Sequence, residues 1–165
     1  MAPWLWLSAA IIVLDQLTKG LALAWLEPHR PLTVLAPYLN LTLMFNEGAA
    51  FSFLADAGGI QRWLLAAFAL VMGVALTIWL LRLRRDEQLL ATGLALLIGG
   101  AFGNLIDRLV YGHVIDFVQV YLPFIPLAIF NPWPAFNLAD SAISIGVAIL
   151  LMSALGDETR RRREG

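Results

Sequence analysis

Pro134-Ala-Phe-Asn137-Leu-Ala-Asp140-Ser141 leads directly into the last apolar run of the chain, residues 142–155. Asp140 therefore lies at the start of a predicted membrane helix. Asn137, three residues earlier, lies on the same face of that helix as Asp140. A carboxylate at the edge of hydrocarbon is costly and by default marks a functional site. Upstream, Gly112-His-Val-Ile-Asp116-Phe supplies a second acid in the connection that precedes this run. The pattern predicts a site built on two carboxylates, Asp116 and Asp140, at a membrane surface.

The composition is that of a membrane protein. Of the 165 residues, 60% are hydrophobic and 14% are charged, and the mean hydropathy is +0.77. Soluble domains, by contrast, are about 45–50% apolar and about 25% charged. The net charge of −1 gives no indication of a nucleic-acid partner. The chain has no cysteine, which excludes disulfides, zinc–thiolate sites and thiol nucleophiles. Any hydrolytic chemistry must therefore use carboxylates, hydroxyls, lysine or the two histidines.

Four apolar runs predict an all-α membrane protein that forms a single domain, residues 1–165. Each predicted span approaches the roughly 20 residues that a bilayer requires. A signal peptide is the competing interpretation of the first run, but no Lys or Arg precedes that run and Asp15 falls inside it. The predicted spans are residues 4–26, 63–81, 89–106 and 136–155, with long connections at 27–62 and 107–135, a short one at 82–88 and a tail at 156–165.

The long connections carry the predicted non-helical structure. Leu39, Leu41, Leu43 and Phe45 alternate with Asn40, Thr42, Met44 and Asn46, and this period of two predicts an amphipathic strand. Residues 114–121 contain several β-branched and aromatic residues and predict a second short strand. The rest of 107–135 is predicted to be irregular, because the four prolines between positions 122 and 134 exclude a continuous helix there.

The positions of the arginines predict the orientation. The 82–88 connection carries three arginines and the tail carries four. The positive-inside rule places both segments, and both termini, in the cytoplasm. The connections 27–62 and 107–135 then face outward, which brings Asp116 and Asp140 to the outer face of the membrane.

Further charged residues lie within the predicted spans. Asp15 and Lys19 are four apart on one face of the first span, where they should pair or face the bundle interior, as a structural pair or as support for the site. Asn104, Asp107 and Arg108 share a face at the outward end of the third span. This face is interpreted either as a polar helix end or as part of the site. An adjacent arginine would keep Asp107 ionised, so Asp107 is interpreted as scaffold and not as the acid.

The surroundings of Asp116 and Asp140 suit acid–base chemistry. Apolar surroundings favour the neutral form of a carboxyl group, and two carboxylates in contact share one proton. One carboxylate can then take a proton from water while the protonated one hydrogen-bonds the scissile carbonyl. The two histidines are isolated and no HExxH motif occurs, so a metal site is not expected. No His–Asp set accompanies the serines in a way that supports a triad. The spacing alone does not show that the two aspartates meet.

Five motifs follow one another along the chain, and together they carry a resemblance. They are Asp15-Gln-Leu-Thr-Lys19, Asn46-Glu-Gly48-Ala-Ala-Phe-Ser52, Gly99-Gly100-Ala-Phe-Gly-Asn104-Leu-Ile-Asp107-Arg108, Gly112-His-Val-Ile-Asp116-Phe and Phe136-Asn137-Leu-Ala139-Asp140-Ser141. On these motifs the chain resembles, nearly end to end, the prolipoprotein signal peptidase (signal peptidase II) family.

The resemblance implies an aspartyl endopeptidase of the bacterial inner membrane. Its fold would be four membrane helices with a small extracytoplasmic β cradle, which includes the 38–46 strand, and a short extracytoplasmic helix after that strand. Its substrate would be a prolipoprotein that carries diacylglycerol on a cysteine, cut just before that cysteine. No cofactor and no metal are implied. The enzyme is expected to be a monomer in contact with membrane lipid, with no nucleic-acid partner.

The resemblance also implies roles for particular residues. The catalytic pair of the family matches Asp116 and Asp140. The residues that it places around the site, as substrate-binding or supporting residues, are Asp15, Lys19, Asn46, Gly48, Gly100, Asn104, Asp107, Arg108, Asn137 and Ala139. One departure is that residues 122–132, between the two aspartates, are longer and more apolar than expected for the family, which leaves the conformation of that loop open.

Two other classes of function compete with this interpretation. A transporter or proton relay would use four intramembrane charges, those of Asp15, Lys19, Asp107 and Arg108. Its flux would depend on Asp15 but not on Asp116. A non-catalytic adaptor that binds lipidated segments would keep its function after Asp140→Asn. Four spans without a repeated half are a poor basis for a transporter.

Overall fold

In a computed structural model of the chain, the described residues are 1–48, 59–125 and 131–164, with side chains described as far as residue 155. A short 3-10 turn, Ala2–Trp4, leads into the first helix. The elements are α1 (Leu5–Trp25), β1 (Leu32–Leu35), β2 (Leu39–Asn46), α2 (Ile60–Arg82), α3 (Gln88–Val110), β3 (Val114–Val120) and α4 (Leu138–Glu164). Four of the described helices are long and apolar enough to cross a membrane. The predicted fold class, an all-α membrane protein with a small sheet, is confirmed; the predicted short helix after β2 lies outside the described residues.

The third predicted span was too short at its outward end. Asp107 and Arg108, assigned to an irregular connection that begins at 107, lie inside α3, which continues to Val110. The helix can continue because its last carbonyls have partners: the Arg62 guanidinium donates to the carbonyl oxygens of Arg108 (2.6 Å) and Leu109 (2.8 Å). The helix ends where Gly112 adopts a φ of +88°, a conformation that glycine reaches without a steric penalty.

The fourth predicted span also differs at both ends. Phe136, taken as its first residue, belongs instead to the sheet edge, where its backbone exchanges hydrogen bonds of 2.9 and 3.0 Å with Val118. The helix begins at Leu138 and continues to Glu164, beyond the predicted end at 155. Only Leu138–Leu155 has the apolar character of a span. Helix α4 is therefore longer than the part of it that is apolar enough to span a membrane.

Helix α3 lies at the centre of the bundle and packs against α1, α2 and α4. Its small residues make these contacts close. A Cβ added at Gly99 would lie 2.7 Å from the Ile11 side chain of α1, and one added at Gly100 would collide with the Ala139 carbonyl of α4. These contacts agree with the helix-packing role that the GxxxG spacing indicates, and they bring the start of α4 against α3.

The three strands form an antiparallel sheet in the order β1-β2-β3. β2 pairs with β3 from Leu39↔Val120 to Asn46↔Val114, with a shift in register between Leu41 and Met44. Because of this shift, the neighbouring residues Thr42 and Leu43 are both buried, and the predicted strict alternation fails there. Past the shift, Met44 pairs with Asp116, which places Asn46 diagonally across from that carboxylate. β1 has no sequence signal and was not predicted.

The loop between the two aspartates is held at its base by Asn131. The Asn131 side chain accepts a hydrogen bond from the backbone N–H of Leu122 (2.8 Å) and donates one to the carbonyl of Ile125 (2.8 Å). Trp133 then rejoins the sheet by donating its backbone N–H to Val120 (2.8 Å). The two described ends of the loop are thereby tied to each other and to β3; residues 126–130 lie outside the described part of the chain.

Candidate active site

Asp140 is placed by the cap of α4. Asn137 precedes the helix, and its side-chain oxygen accepts the backbone N–H of Asp140 (2.9 Å). In return the Asp140 carboxylate accepts the backbone N–H of Asn137 (3.2 Å). This reciprocal arrangement is a capping box, in which side chains three apart satisfy the free N–H groups of a helix start. The Asn-x-x-Asp spacing in the sequence is thus explained locally, and it fixes the Asp140 carboxylate at the positive end of the helix dipole.

Asp116 lies on β3, buried, with 2% of its surface exposed. Its two carboxylate oxygens accept hydrogen bonds from the side-chain amides of Asn46 (3.1 Å) and Asn137 (2.7 Å). Burial, and after it the negative charge of Asp140, raises the pKa of Asp116 from 3.8 to about 7 against the opposing effect of these hydrogen bonds. Asp116 is therefore able to carry a proton near neutral pH.

Asn137 links the two aspartates. Its side-chain NH₂ group donates to Asp116, while its backbone N–H donates to Asp140. Both ends of this one buried residue are thus bound to a carboxylate. The sequence placed Asn137 on the face of Asp140, but its bond to Asp116 depends on the packing of β3 against the start of α4.

Asn104 connects the same site to α3 and α1. Its side-chain NH₂ donates to the other oxygen of Asp140 (2.8 Å). Its side-chain oxygen accepts from the Lys19 ammonium (2.9 Å) and from Asn137 (3.1 Å). Asn104 is therefore bound directly to Asp140, Lys19 and Asn137, which is more than a polar helix end would require.

A buried charge network lies beneath the aspartates. The Lys19 ammonium lies 2.8 Å from the Asp15 carboxylate and 2.7 Å from that of Asp107, and all three side chains are almost fully buried. The predicted Asp15–Lys19 pairing is present. Asp107 also has a scaffold position, although its cation is Lys19 on another helix and not the adjacent Arg108.

The two carboxylates of this network each hold the residue that precedes a candidate catalytic aspartate. Asp15 accepts the backbone N–H of Ala139 (2.9 Å), next to Asp140. Asp107 accepts the backbone N–H of Ile115 (3.1 Å), next to Asp116. Because Lys19 bridges Asp15 and Asp107, one ammonium group ties together the two backbone segments on which the aspartates are mounted.

The remaining predicted residues lie around the same centre. Arg108 donates to the Asn104 carbonyl (3.3 Å) and is close enough to Asp140, Asp107 and Asp116 to interact with their charges. Gly48 donates its backbone N–H to the Asn46 side chain (3.2 Å), which orients the amide that binds Asp116. Gly100 acts through the backbone, since its lack of a side chain lets Ala139 approach α3.

Two site-supporting residues were missed. Gln16 donates its side-chain NH₂ to Asp107 (2.8 Å) and to the Gly103 carbonyl (3.2 Å); its position beside Asp15 in the first motif was the available signal. Arg62, which caps α3, had no sequence signal beyond its place at the start of a span. Among the described residues no group of three or more His, Asp or Glu side chains is arranged to hold a metal ion.

A groove of about 380 Å³ opens beside Asp140 between α2, α3 and α4. Its wall is apolar apart from one polar end. The apolar residues include Phe68, Met72, Leu97 and Ile143, and the polar end is formed by Asn104, Arg108 and Asp140.

The chain is similar to known proteins along most of its length. A sequence model of the signal peptidase (SPase) II family matches residues 7–156. The chain is 46% identical over 165 residues to the lipoprotein signal peptidase of Pseudomonas aeruginosa strain UCBPP-PA14, covering 99% of this chain and 91% of that protein. It is 47% identical over 163 residues to the lipoprotein signal peptidase of Paraburkholderia phymatum, with coverage of 99% and 91%.

The fold has solved counterparts as well. One structure, described as a bacterial membrane enzyme solved by the in meso method, superposes with a TM-score of 0.83 at 25% identity, covering 97% of this chain and 92% of that one. A second of the same description gives a TM-score of 0.79 at 26% identity, with 95% of both chains covered. With a family match over most of its length and close relatives across all of it, the chain belongs to the signal peptidase II family.

Proposed function

We propose that this protein cuts the signal peptide from diacylglyceryl-modified prolipoproteins just before the lipidated cysteine, and that Asp116 and Asp140 activate the attacking water. The coarser activity, removal of signal peptides from prolipoproteins by an aspartic peptidase, follows from membership of the family. The observation that carries the finer proposal is Asn137, whose side chain binds Asp116 at 2.7 Å while its backbone N–H binds Asp140 at 3.2 Å. A single residue thereby holds two carboxylates at one point beside an apolar groove.

The surroundings of the two carboxylates favour different roles. Asp116 is buried, and its pKa of about 7 lets it hold the shared proton. Asp140 is only partly buried, lines the groove and receives hydrogen bonds from Asn104 and Asn137. We therefore assign the proton donor to Asp116 and the base to Asp140.

The proposed reaction needs no group beyond these two acids. Asp140 takes a proton from water as the water oxygen attacks the scissile carbonyl, and Asp116 gives its proton to the carbonyl oxygen. When the tetrahedral intermediate collapses, the carbon–nitrogen bond breaks and the proton on Asp140 passes to the leaving amine of the cysteine. The proton on the former carbonyl oxygen returns to Asp116. The products are a signal peptide with a free carboxylate and a lipoprotein whose cysteine has a free amine.

The groove beside Asp140 supports a lipid-bearing substrate. Its apolar wall lies within the membrane-spanning helices, and its polar end includes Asp140. A substrate anchored in the bilayer by acyl chains and a signal helix would present its scissile bond at this junction. We further propose that the protein lies in the bacterial inner membrane with both termini in the cytoplasm and the site at the outer face, and that it works there as a monomer without a cofactor, metal or nucleic acid.

The test of this function is cleavage of a purified diacylglyceryl-modified prolipoprotein by the full chain in detergent micelles, with the unmodified precursor as the matched control. We expect cleavage of the modified form alone, with a new N-terminus at the lipidated cysteine in mass spectra. Cleavage of both forms at equal rates would remove the lipid requirement. Binding of the modified precursor without cleavage by folded protein would instead favour the adaptor.

Stability is expected to fall as the pH rises towards about 7, and cleavage is expected to fall as the pH rises above it. Cleavage needs the protonated form of Asp116, whose pKa is raised to about 7, so the rate should decline above that pH. The folded state also keeps a proton that the unfolded chain releases near pH 3.8. The stability from Asp116 is therefore complete below that pH, falls by up to about 1.4 kcal/mol per pH unit as the pH rises towards about 7, and is lost above about 7.

The measurements for this pH dependence are cleavage rates and thermal unfolding in detergent at a series of pH values on either side of neutrality. Asp116→Asn is the control for unfolding, because it has no proton to lose at this position and its melting temperature should lack this component of the pH dependence. Identical unfolding profiles for the wild type and Asp116→Asn would contradict a raised pKa at Asp116.

A further inference from the structure

We propose that a second groove, between α1 and α2, binds an acyl chain of an anionic phospholipid whose phosphate lies at Arg82. The groove has a volume of about 380 Å³ and is lined by Leu5, Ala9 and Ile12 of α1 and by Val74 and Ile78 of α2. It uses the first half of α1 and the second half of α2, and therefore lies towards the end of the bundle opposite Asp140. The proposal does not depend on the peptidase mechanism.

The groove exists because α1 and α2 both pack against α3 but leave a gap between each other. α1 and α2 each pack against α3, and in the described part of the chain they hardly touch one another. Ile98 and Phe102 of α3 form the floor between them. Gly73 of α2 allows the Phe102 ring to lie there, since an added Cβ would be 2.9 Å from that ring. A lipid chain in this position would fill the space between α1 and α2.

The wall of the groove favours an apolar ligand, because its hydroxyl groups are already hydrogen-bonded within the protein. Two hydroxyl side chains, Ser8 and Thr77, line it, and both donate to backbone carbonyls of the protein: Ser8 to Ala95 (2.8 Å) and Thr77 to Gly73 (2.7 Å). Their protons are therefore already used within the bundle. Because the groove lies between membrane-spanning helices, the matching occupant is an acyl chain and not water or a polar ligand.

Charge at the end of the groove selects an anionic headgroup. Arg82 follows Ile78 by four residues, so it lies one turn further along the same face of α2. Its side chain is exposed and forms no ion pair among the described residues. Arg84, by contrast, pairs with Asp86 at 3.3 Å. A phosphate above the acyl chain would meet the Arg82 guanidinium, which binds phosphate well in a bidentate manner.

The test is native mass spectrometry of the full chain in detergent with added dioleoyl phosphatidylglycerol or dioleoyl phosphatidylcholine, which have the same acyl chains. We expect one copy of the anionic lipid to bind about fivefold more tightly than the zwitterionic one, as one nearby arginine would give. Arg82→Gln should remove that preference, and Arg30→Gln, the matched change at an exposed arginine outside the groove, should retain it. Equal affinity of the wild type for both lipids would overturn the assignment of an anionic headgroup.

The groove itself is tested by filling it. Ala9→Phe should weaken the binding of both lipids, whereas Ala10→Phe, the same change at the adjacent exposed residue, should not. A phosphatidylglycerol with a photoreactive group in its acyl chain should label peptides containing residues 5–12 and 74–78 of the wild type, a result that requires no variant to fold. Labelling confined to other helices, unchanged binding by folded Ala9→Phe, or a dimer that excludes lipid from this face would each overturn the site.

Discussion

Asp116→Asn and Asp140→Asn are each expected to reduce cleavage of diacylglyceryl-modified prolipoprotein by roughly three to four orders of magnitude, the upper range for loss of a general acid or base. Asp140→Asn removes the base that takes the proton from water. Asp116→Asn removes the proton donor, whose pKa of about 7 suits that role. Each substitution keeps the shape of the side chain, so the loss of cleavage should come from turnover and not from a failure to fold.

The hydrogen bonds around each aspartate predict how well each variant keeps its fold. In Asp116→Asn, one new NH₂ group would face an NH₂ donor of Asn46 or Asn137, because both carboxylate oxygens now accept hydrogen bonds. In Asp140→Asn, the capping box with Asn137 would keep both of its bonds when the new amide oxygen faces the Asn137 N–H, but the new NH₂ group would then face the NH₂ donor of Asn104. We therefore expect modest losses of stability, on the order of 1–2 kcal/mol, in both.

The measurement is the initial rate of cleavage in micelles, with thermal unfolding of the same preparations. Asp86→Asn is the matched control, since it makes the same change at an exposed aspartate on the 82–88 connection, and its rate should equal that of the wild type. More than about one per cent of wild-type activity in either site variant would contradict the assignment of that aspartate as acid or base.

Lys19→Met is expected to destabilise the protein by about 3–5 kcal/mol, because it leaves Asp15 and Asp107 buried without a cation. The ammonium lies within 2.8 Å of both carboxylates, and the three side chains are at most 2% exposed. The loss should also reach the site, since the two carboxylates hold the backbone at Ala139 and Ile115. Cleavage by the fraction that remains folded should therefore decrease as well.

A combined variant separates charge from shape in this network. In Asp15→Asn/Lys19→Met/Asp107→Asn no buried charge remains unpaired, so it should be more stable than Lys19→Met alone. Arg30→Met is the control for the loss of a cation, because Arg30 pairs with Glu27 at the surface and such pairs contribute about 1 kcal/mol or less. Melting temperatures of the four proteins in one detergent provide the comparison. A Lys19→Met variant that melts with the wild type would show that the network does not stabilise the fold.

The site could be predicted in part because some of its signals are local. The Asn137-x-x-Asp140 spacing predicts a helix cap. The position of Asp140 just before an apolar run predicts that it lies at the membrane surface. Asp116 was singled out as the second acid in the connection before the last span and by the family motif Gly112-His-Val-Ile-Asp116-Phe. The bond from Asn137 to Asp116 has no local signal, since it joins a strand to a helix start across the connection between them.

Two predictions that needed correction concern where α3 ends and how β2 pairs with β3. Hydropathy stops at Ile106, while α3 continues to Val110 because Lys19 neutralises Asp107 and Arg62 caps the last turn. The alternation of β2 fails at Thr42 and Leu43, where the register shifts against β3. In each case a distant segment decides the outcome. At the end of α3 it supplies partners for polar groups, and in β2 it sets a strand register that the local pattern alone does not predict.

The sequence by itself determined the membrane class, the four apolar helices, two of the three strands and the candidate residues, because these depend on runs of about twenty apolar residues, on periods of two and on motif spacing. Only the tertiary structure decided that Lys19 bridges Asp15 and Asp107, that Asn137 joins Asp116 to Asp140, and that Asn104 completes the set. Such partners are selected because a buried charge or amide must be paired wherever packing places it, and that packing depends on all the helices and strands together.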